Sequence, residues 1–184
     1  MSAGREDQRA LDLLAFWIDA GPPKWFAGGA KFDKVCEAYE TLWEEGRDGG
    51  LASWPETVSG ALALIILLDQ IPRNIFRGDA KQFSTDDMAV DLALEAMGRG
   101  FDKAVMAPMR AFFYMPLMHA EDITLQRQCC DLFRTSDMKD NYHYALVHMD
   151  AISRFGRFPH RNEMLGRETT PEEQAYLNSG GFGA

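Results

Sequence analysis

The chain has 184 residues, of which 46% are hydrophobic and 26% charged, and its formal net charge is −9. This length and composition are typical of one soluble globular domain and exclude a disordered or fibrous chain. The acidic balance opposes non-specific binding to nucleic acid or to anionic lipid, so neither is predicted as a partner.

No segment predicts export or membrane insertion. The first residues carry charges of both signs and no apolar run before a cleavage site. The longest near-apolar stretch, residues 58–68, falls short of the roughly 20 residues that a membrane span needs. The three cysteines, of which Cys129 and Cys130 are adjacent, are a poor basis for disulfides. We therefore expect a cytoplasmic protein with reduced cysteines, whose oligomeric state the sequence does not indicate.

Helical periodicity dominates the chain, and strand periodicity is nearly absent. Capping residues, glycines and prolines mark the helix ends. In the first half they predict helices over residues 5–20, 31–45, 53–70 and 84–98. Residues 22–29 are predicted to form an aromatic loop. Leu11, Leu14 and Ile18 share one stripe of the first helix and are predicted to face the core.

The second half begins with a divided region, because Pro108 and Pro116 interrupt residues 101–120. Longer helices are predicted over residues 121–134 and 139–155, the latter closed by a glycine. A last short helix is predicted to begin at the capping sequence Thr-Pro-Glu-Glu of residues 170–173. The expected fold is all-α, with seven or eight helices packed as antiparallel hairpins in one domain over residues 1–184.

The arginines are unevenly distributed. Residues 71–78 and 154–167 hold six of the thirteen arginines and none of the six lysines. Guanidinium groups bind carboxylates and phosphates in a planar, bidentate geometry and tolerate partial burial. The bias therefore predicts specific anionic partners, either inside the chain or outside it.

One internal partner can be named. Asp69 continues the apolar stripe of the third predicted helix, so it should be at least partly buried and should need a guanidinium. Arg73 lies four residues on, although Pro72 disturbs that geometry, and an arginine from residues 154–161 is the alternative. In one interpretation the arginines only tie helix ends together. In the other, the remaining arginines converge in a groove and hold an anionic ligand.

The histidines suggest less. His119 could share a helix face with Asp122, Gln126 and Cys129 if that helix began near residue 118, which would suit a metal or an acid/base pair. The acidic residues there also suit a helix N-terminus. His148 is predicted to lie in the core. Since no nucleophile, phosphate-loop or zinc motif occurs, no catalytic residue, metal or cofactor is predicted.

Four blocks, in this order, resemble the bacterial domain of unknown function 924 family: "FW…KWF…FD" at 16–33, "LALIILLDQIPRNIFRGDA" at 62–80, "FFYMPLMHAED" at 112–122 and "RFGRFPHRNEMLGRETTPEEQAYL" at 154–177. The resemblance implies one all-helical domain, similar to the right-handed, tetratricopeptide-repeat-like superhelical fold, and no established activity. The polar motif positions carried over are Asp69, Gln70, Arg73, Asn74, Arg77, His119, Glu121, Asp122, Arg154, Arg157, His160, Arg161 and Asn162.

Two functions fit these observations. The first is a binding module whose arginine-rich groove holds an anionic small molecule or the acidic or C-terminal end of a peptide. The alternative is an enzyme in which His119 or His160 acts as acid or base on a substrate that carries phosphate or carboxylate. The sequence leaves catalysis undecided. The predicted ligand-binding residues are Asp69, Gln70, Arg73, Arg77, His119, Arg157, His160 and Arg161.

Overall fold

The computed structural model describes residues 6–136 and 138–183, and all regular structure within them is helical, as predicted. The chain divides into two compact units, the first ending at Pro116 and the second beginning at Leu117. The single domain over residues 1–184 and the tetratricopeptide-repeat-like superhelical packing stay predictions.

The first unit contains seven helices in the part of the chain that the structure describes. They are α1 (Gln8–Ala20), α2 (Pro22–Ala27), α3 (Ala30–Cys36), α4 (Glu40–Arg47), α5 (Val58–Ile65), α6 (Ile71–Ile75) and α7 (Asp86–Gly98). Short 3-10 turns separate several of them, which divides the predicted helices into more pieces than expected. Residues 1–5, where the first helix was predicted to begin, lie outside the described residues.

The N-terminal helices differ from the prediction in two ways. The buried face of α1 is formed by Ala10, Leu13 and Trp17, while Ile18 is 55% exposed. Burying the large indole decides the orientation of this helix, so the predicted stripe was wrong. Residues 22–27 form α2 instead of a loop. The prolines lie in its first turn, where their missing N–H groups cost no intrahelical hydrogen bond.

One continuous helical run forms the centre of the first unit. A π-helical segment, Ile66–Gln70, joins α5 to α6, so the run spans Val58–Ile75. The predicted stop before Pro72 was wrong, because the wider π turn changes the hydrogen-bond ladder where the proline ring enters. By length and composition alone this run could cross a membrane, but 78% of it is buried inside the fold, as in the core helix of a globular protein.

Side chains bond the carbonyl groups around this π segment. Thr85 Oγ1 donates to Leu68 O at 2.6 Å, and Asn74 Nδ2 donates to Gln70 O at 3.0 Å. Pro72 cannot donate to Leu68 O, so the threonine hydroxyl replaces the missing N–H. The guanidinium of Arg73 donates to the carbonyl oxygen of Asp69. Part of the polar motif at residues 69–74 therefore serves the helix itself.

Threonines lie at the N-caps of both α5 and α7. Residues 54–56 form a 3-10 turn, and Thr57 caps α5 by accepting a hydrogen bond from Gly60 N. At α7 the N-cap residue is Thr85, whose hydroxyl bonds Leu68 O instead of its own helix. Ser84 donates to the carbonyl oxygen of Lys81. Only the first of these two threonines therefore caps its own helix with its side chain.

The second unit follows the prediction more closely. The boundary between the units falls within α8 (Met115–His119), and α9 (Ile123–Arg134), α10 (Lys139–Phe155) and α11 (Pro171–Asn178) follow. Helices α9 and α10 pack on each other as the predicted hairpin. Gly156 closes α10 with a φ of 68°, in the left-handed region, and Thr170 and Glu173 form the predicted capping box of α11.

The start of α9 differs from one sequence-based hypothesis. Asp122 caps this helix by accepting from Thr124 N at 2.7 Å and Leu125 N at 2.9 Å, so α9 begins at Ile123. His119 belongs to α8 and therefore does not share a face of α9 with the acid. Gln126 is buried and donates to Met118 O and Ala120 O, which fixes the turn between the two helices.

Candidate functional site

Four of the predicted ligand-binding residues lie in the first unit. Asp69 is 1% exposed, which confirms its predicted burial, and Gln70 Nε2 lies 2.5 Å from its Oδ2. Arg73 Nη1 lies 3.4 Å from Asp69 Oδ1, and Arg73 Nη2 donates to Asp86 Oδ2 at 2.9 Å. Burial lowers the pKa of Arg73, but the two aspartates outweigh it and raise the pKa overall. Of the two alternatives given for the partner of Asp69, the pair with Arg73 is therefore observed.

Arg77 binds a different acid. Its Nε and Nη2 donate to the two carboxylate oxygens of Asp33, on α3, at 2.8 and 2.9 Å. This bidentate bond raises the pKa of Arg77. Asp33 and Asp86 were both missed by the sequence analysis, because each lies on a helix distant in sequence from the arginine that it binds.

In the second unit, Glu173 gathers the polar groups around the start of α11. Arg157 donates to its two oxygens at 2.6 and 2.9 Å, Asn162 Nδ2 at 3.1 Å and Thr170 N at 2.8 Å. The carboxylate is 2% exposed, and the bond to Arg157 is the main reason that its pKa falls to about 2. Arg157 also donates to the carbonyl oxygen of Glu168 at 2.8 Å, so this arginine holds the loop before α11.

Glu121 is the second acid of this unit that gathers cationic and amide donors. Arg167 donates to its two oxygens at 2.6 and 2.9 Å, and Phe158 N donates at 2.7 Å. Burial raises the pKa of Glu121, but the hydrogen bonds from Arg167 and Phe158 lower it by more. The net effect is a lowered pKa, so the carboxylate is held in its charged form. Arg154, by contrast, makes an exposed pair with Asp150 at 2.9 Å. Internal carboxylates thus account for several cations of an acidic chain.

The remaining predicted residues of the second unit, His119, His160 and Arg161, lie together with His148, and we call these four residues the histidine–arginine cluster. Arg161 is 6% exposed and donates from Nη2 to the carbonyl oxygen of His119 at 3.0 Å. Its guanidinium carbon lies 4.5 Å from the ring centre of Phe158. The ring centres of His119 and His148 are 6.2 Å apart. The turn at residues 159–161 and helices α8 and α10 supply these groups.

Two imidazoles of the cluster, those of His148 and His160, are kept neutral at neutral pH. Burial is the main cause that lowers the pKa of His148 to about 3 and that of His160 to about 4, and the charge of Arg161 adds to both effects. His148 Nδ1 lies 2.8 Å from the carbonyl oxygen of Tyr144, so this nitrogen carries the proton. Among the residues that the structure describes, His160 Nδ1 is buried without a hydrogen-bond partner.

The cluster is not arranged as a metal site. Within residues 6–136 and 138–183 no group of three histidine, cysteine or acidic side chains could hold a metal ion. Its chemistry is that of a buried cation beside imidazole rings, which suits recognition of an anionic or hydrogen-bonding group. His148 was predicted only as a core residue, and nothing in its local sequence indicates the cluster.

Comparison with known proteins gives a family but no activity. A family model described as "Bacterial protein of unknown function (DUF924)" matches residues 13–181. The solved structure of a protein of unknown function from Agrobacterium tumefaciens is 45% identical and has a TM-score of 0.89, with 94% of this chain and 98% of that chain covered. No curated protein matches the chain. The chain belongs to the DUF924 family of bacterial proteins, as its sequence motifs predicted.

Proposed function

We propose that the chain is a binding protein, and that the histidine–arginine cluster holds the anionic group of a small molecule or of a peptide end. The observation that carries the proposal is the buried Nδ1 of His160, which has no hydrogen-bond partner among the described residues. A buried polar atom left unsatisfied costs about 1–3 kcal/mol, so a ligand atom that bonds it gains correspondingly.

The charges around His160 support an anion over a cation. Arg161 follows it in the chain, and the field of Arg167 also opposes protonation of the imidazole, while Glu121 acts in the opposite direction. Glu121 is already bound by two oxygens to Arg167. The rings of His119 and His148 complete the surroundings. A carboxylate or phosphate would add charge-assisted hydrogen bonds to this positive environment.

Anion binding should be coupled to proton uptake. The hydrogen bond between His160 and the backbone of Phe182 opposes the lowering of the pKa, which means that the ring donates there through its other nitrogen. Nδ1 then becomes a second donor only when the imidazole is protonated. A bound anion raises the pKa of His160, so affinity should increase as the pH falls from about 8 to about 6.

Titration calorimetry of the full chain with sulfate and with acetate tests this function. We expect heat with at least one anion, and tighter binding at the lower pH. The variant His160→Phe keeps an aromatic ring but removes Nδ1, and it should lose the binding. Arg154→Gln, which changes an exposed arginine on α10, should bind like the parent. Absence of heat with both anions, or undiminished binding by His160→Phe, would overturn the proposal.

The alternative enzyme with a histidine acid or base stays a hypothesis. A general base is most effective when its pKa lies near the working pH. The pKa of His160, about 4, makes the free imidazole a weak base at neutral pH. This observation favours binding over catalysis. A shared site that also includes Asp69, Gln70, Arg73, Arg77 and Arg157, the cytoplasmic location, and the lack of nucleic-acid and membrane partners stay predictions.

A further inference from the structure

The segment after α11 turns back onto the histidine–arginine cluster. Gly181 N donates to the carbonyl oxygen of Tyr176 at 2.9 Å, and Phe182 N donates to the Tyr176 hydroxyl at 2.9 Å. Gly180 has a φ of 84°, in the left-handed region. A Cβ on Gly181 would lie 2.5 Å from the tyrosine ring, so any other residue would force that ring to shift. The reversal is therefore encoded by these two glycines.

This reversal brings the ring of Phe182 onto the cluster. Its centre lies 4.0 Å from that of His148, 4.9 Å from that of His160 and 5.9 Å from that of Phe158. The ring is only partly buried, and it packs at the edge of the small apolar core of this unit. We call the three rings that contact it the aromatic pocket: His148, Phe158 and His160.

We propose that the aromatic pocket recognises the C-terminal aromatic residue of a peptide, and that Phe182 occupies it in the absence of that peptide. This inference rests on the proposed function and names its ligand class. Phe182 has two features that such a ligand would also have. It places a phenyl ring in the pocket, and its amide N–H is bonded to the Tyr176 hydroxyl. A peptide end adds a carboxylate beside the ring, which an internal residue lacks.

The added carboxylate explains how a ligand could displace the tail. The backbone of Phe182 offers His160 only a neutral carbonyl group, whereas a terminal carboxylate would accept a charge-assisted hydrogen bond from the same ring. The tail is also a weak competitor, since its glycines lose more conformational freedom on ordering than other residues. Phe182 thus acts as an exchangeable occupant that sets the threshold for ligand affinity.

The test uses the full chain with N-acetyl-L-phenylalanine as the smallest probe with ring, amide and carboxylate. Calorimetry should show that Phe182→Ala binds it about tenfold tighter than the parent, because the competing ring is removed. Phe26→Ala removes an exposed phenylalanine of the first unit and should match the parent. N-acetyl-L-alanine, without the ring, should bind Phe182→Ala at least about tenfold more weakly than N-acetyl-L-phenylalanine.

The outcomes separate this inference from the proposed function. If sulfate or acetate binds the parent but Phe182→Ala gains nothing for N-acetyl-L-phenylalanine, the aromatic pocket is overturned and anion binding stands. If N-acetyl-L-phenylalaninamide binds Phe182→Ala as tightly as the free acid, the pocket stands and the anionic function is overturned. If Phe182→Ala does not fold, Phe182→Leu keeps an apolar side chain and replaces it in the same titrations.

Discussion

Arg157 and Arg161 lie four residues apart on one turn, yet the second unit holds them in different ways. Arg157 makes two bonds to the buried carboxylate of Glu173. Arg161 donates to a neutral carbonyl oxygen and covers the ring of Phe158, beside a buried histidine nitrogen that has no hydrogen bond among the described residues. The first arrangement stabilises the fold, whereas the second is where a ligand would gain most.

The strongest test of this difference removes the guanidinium of Arg157. Arg157→Ala leaves the carboxylate of Glu173 buried without its cation, and we expect it to cause a clear loss in the free energy of unfolding. Urea denaturation measures the change. The matched control is Arg154→Ala, whose pair with Asp150 is exposed on both sides and should contribute only a few tenths of a kcal/mol. Equal effects of the two variants would contradict a structural role for Arg157.

A neutral buried network in the first unit extends the comparison. Thr85 Oγ1 donates to Leu68 O and accepts from Trp43 Nε1 at 3.2 Å. Thr85→Val keeps the shape but removes both bonds, so it should lower the free energy of unfolding by about 2 kcal/mol. Thr85→Ser keeps the hydroxyl and should be milder in the same urea titration. If the serine variant is the less stable one, packing and not the hydrogen bonds decides the role of Thr85.

The contact between Arg157 and Glu173 should also be sensitive to acid. The pKa of Glu173 lies at about 2 in the folded chain, below its usual value near 4.5. A carboxyl group with a lowered pKa stabilises the fold at pH values above its usual pKa. This contribution is lost as the pH falls from about 4.5 towards 2. Glu173→Gln removes the titrating group. Thermal unfolding between about pH 5 and pH 2 should therefore depend less on pH in the variant than in the parent, and equal slopes would contradict the assignment.

The same contrast explains what the sequence could predict. The glycine that closes α10 and the capping box of Thr170 and Glu173 are local signals, and both predictions are confirmed. The pair of Asp69 with Arg73 is also local, since four residues on a helix face the same side. The stop before Pro72 was wrong because Thr85, thirteen residues away along the chain, replaces the N–H that the proline lacks.

The candidate site was harder to predict for a related reason. Sequence composition indicated that the arginines have specific anionic partners, but it could not identify them. Arg167 binds Glu121 across 46 positions, and Arg157 binds Glu173 across 16. Such pairs form only when helices and loops pack together, and no periodicity records them. The contact of Phe182 with the histidines depends on the same long-range packing, since the chain reverses after α11.

The smallest change in stability at neutral pH is expected at the unpaired nitrogen of His160. His160→Phe removes Nδ1, which makes no hydrogen bond within the described residues, and the one hydrogen bond of the ring to the backbone of Phe182, while it keeps an aromatic ring, so the cost should be about 1 kcal/mol. Because the pKa of His160 in the fold is about 4, below the ordinary 6.5, unfolding takes up a proton as the pH falls through that range and the parent loses stability.

The variant has no such proton to take up at this position. Relative to the parent, His160→Phe should therefore be more stable at about pH 5 than at about pH 7, in urea titrations at the two values. His143→Phe, which changes an exposed histidine on α10, is the matched control and should leave the difference unchanged. A large loss at neutral pH for His160→Phe would mean that His160 is held as firmly as Arg157. The distinction between Arg157, which stabilises the fold, and His160, which would bind a ligand, would then disappear.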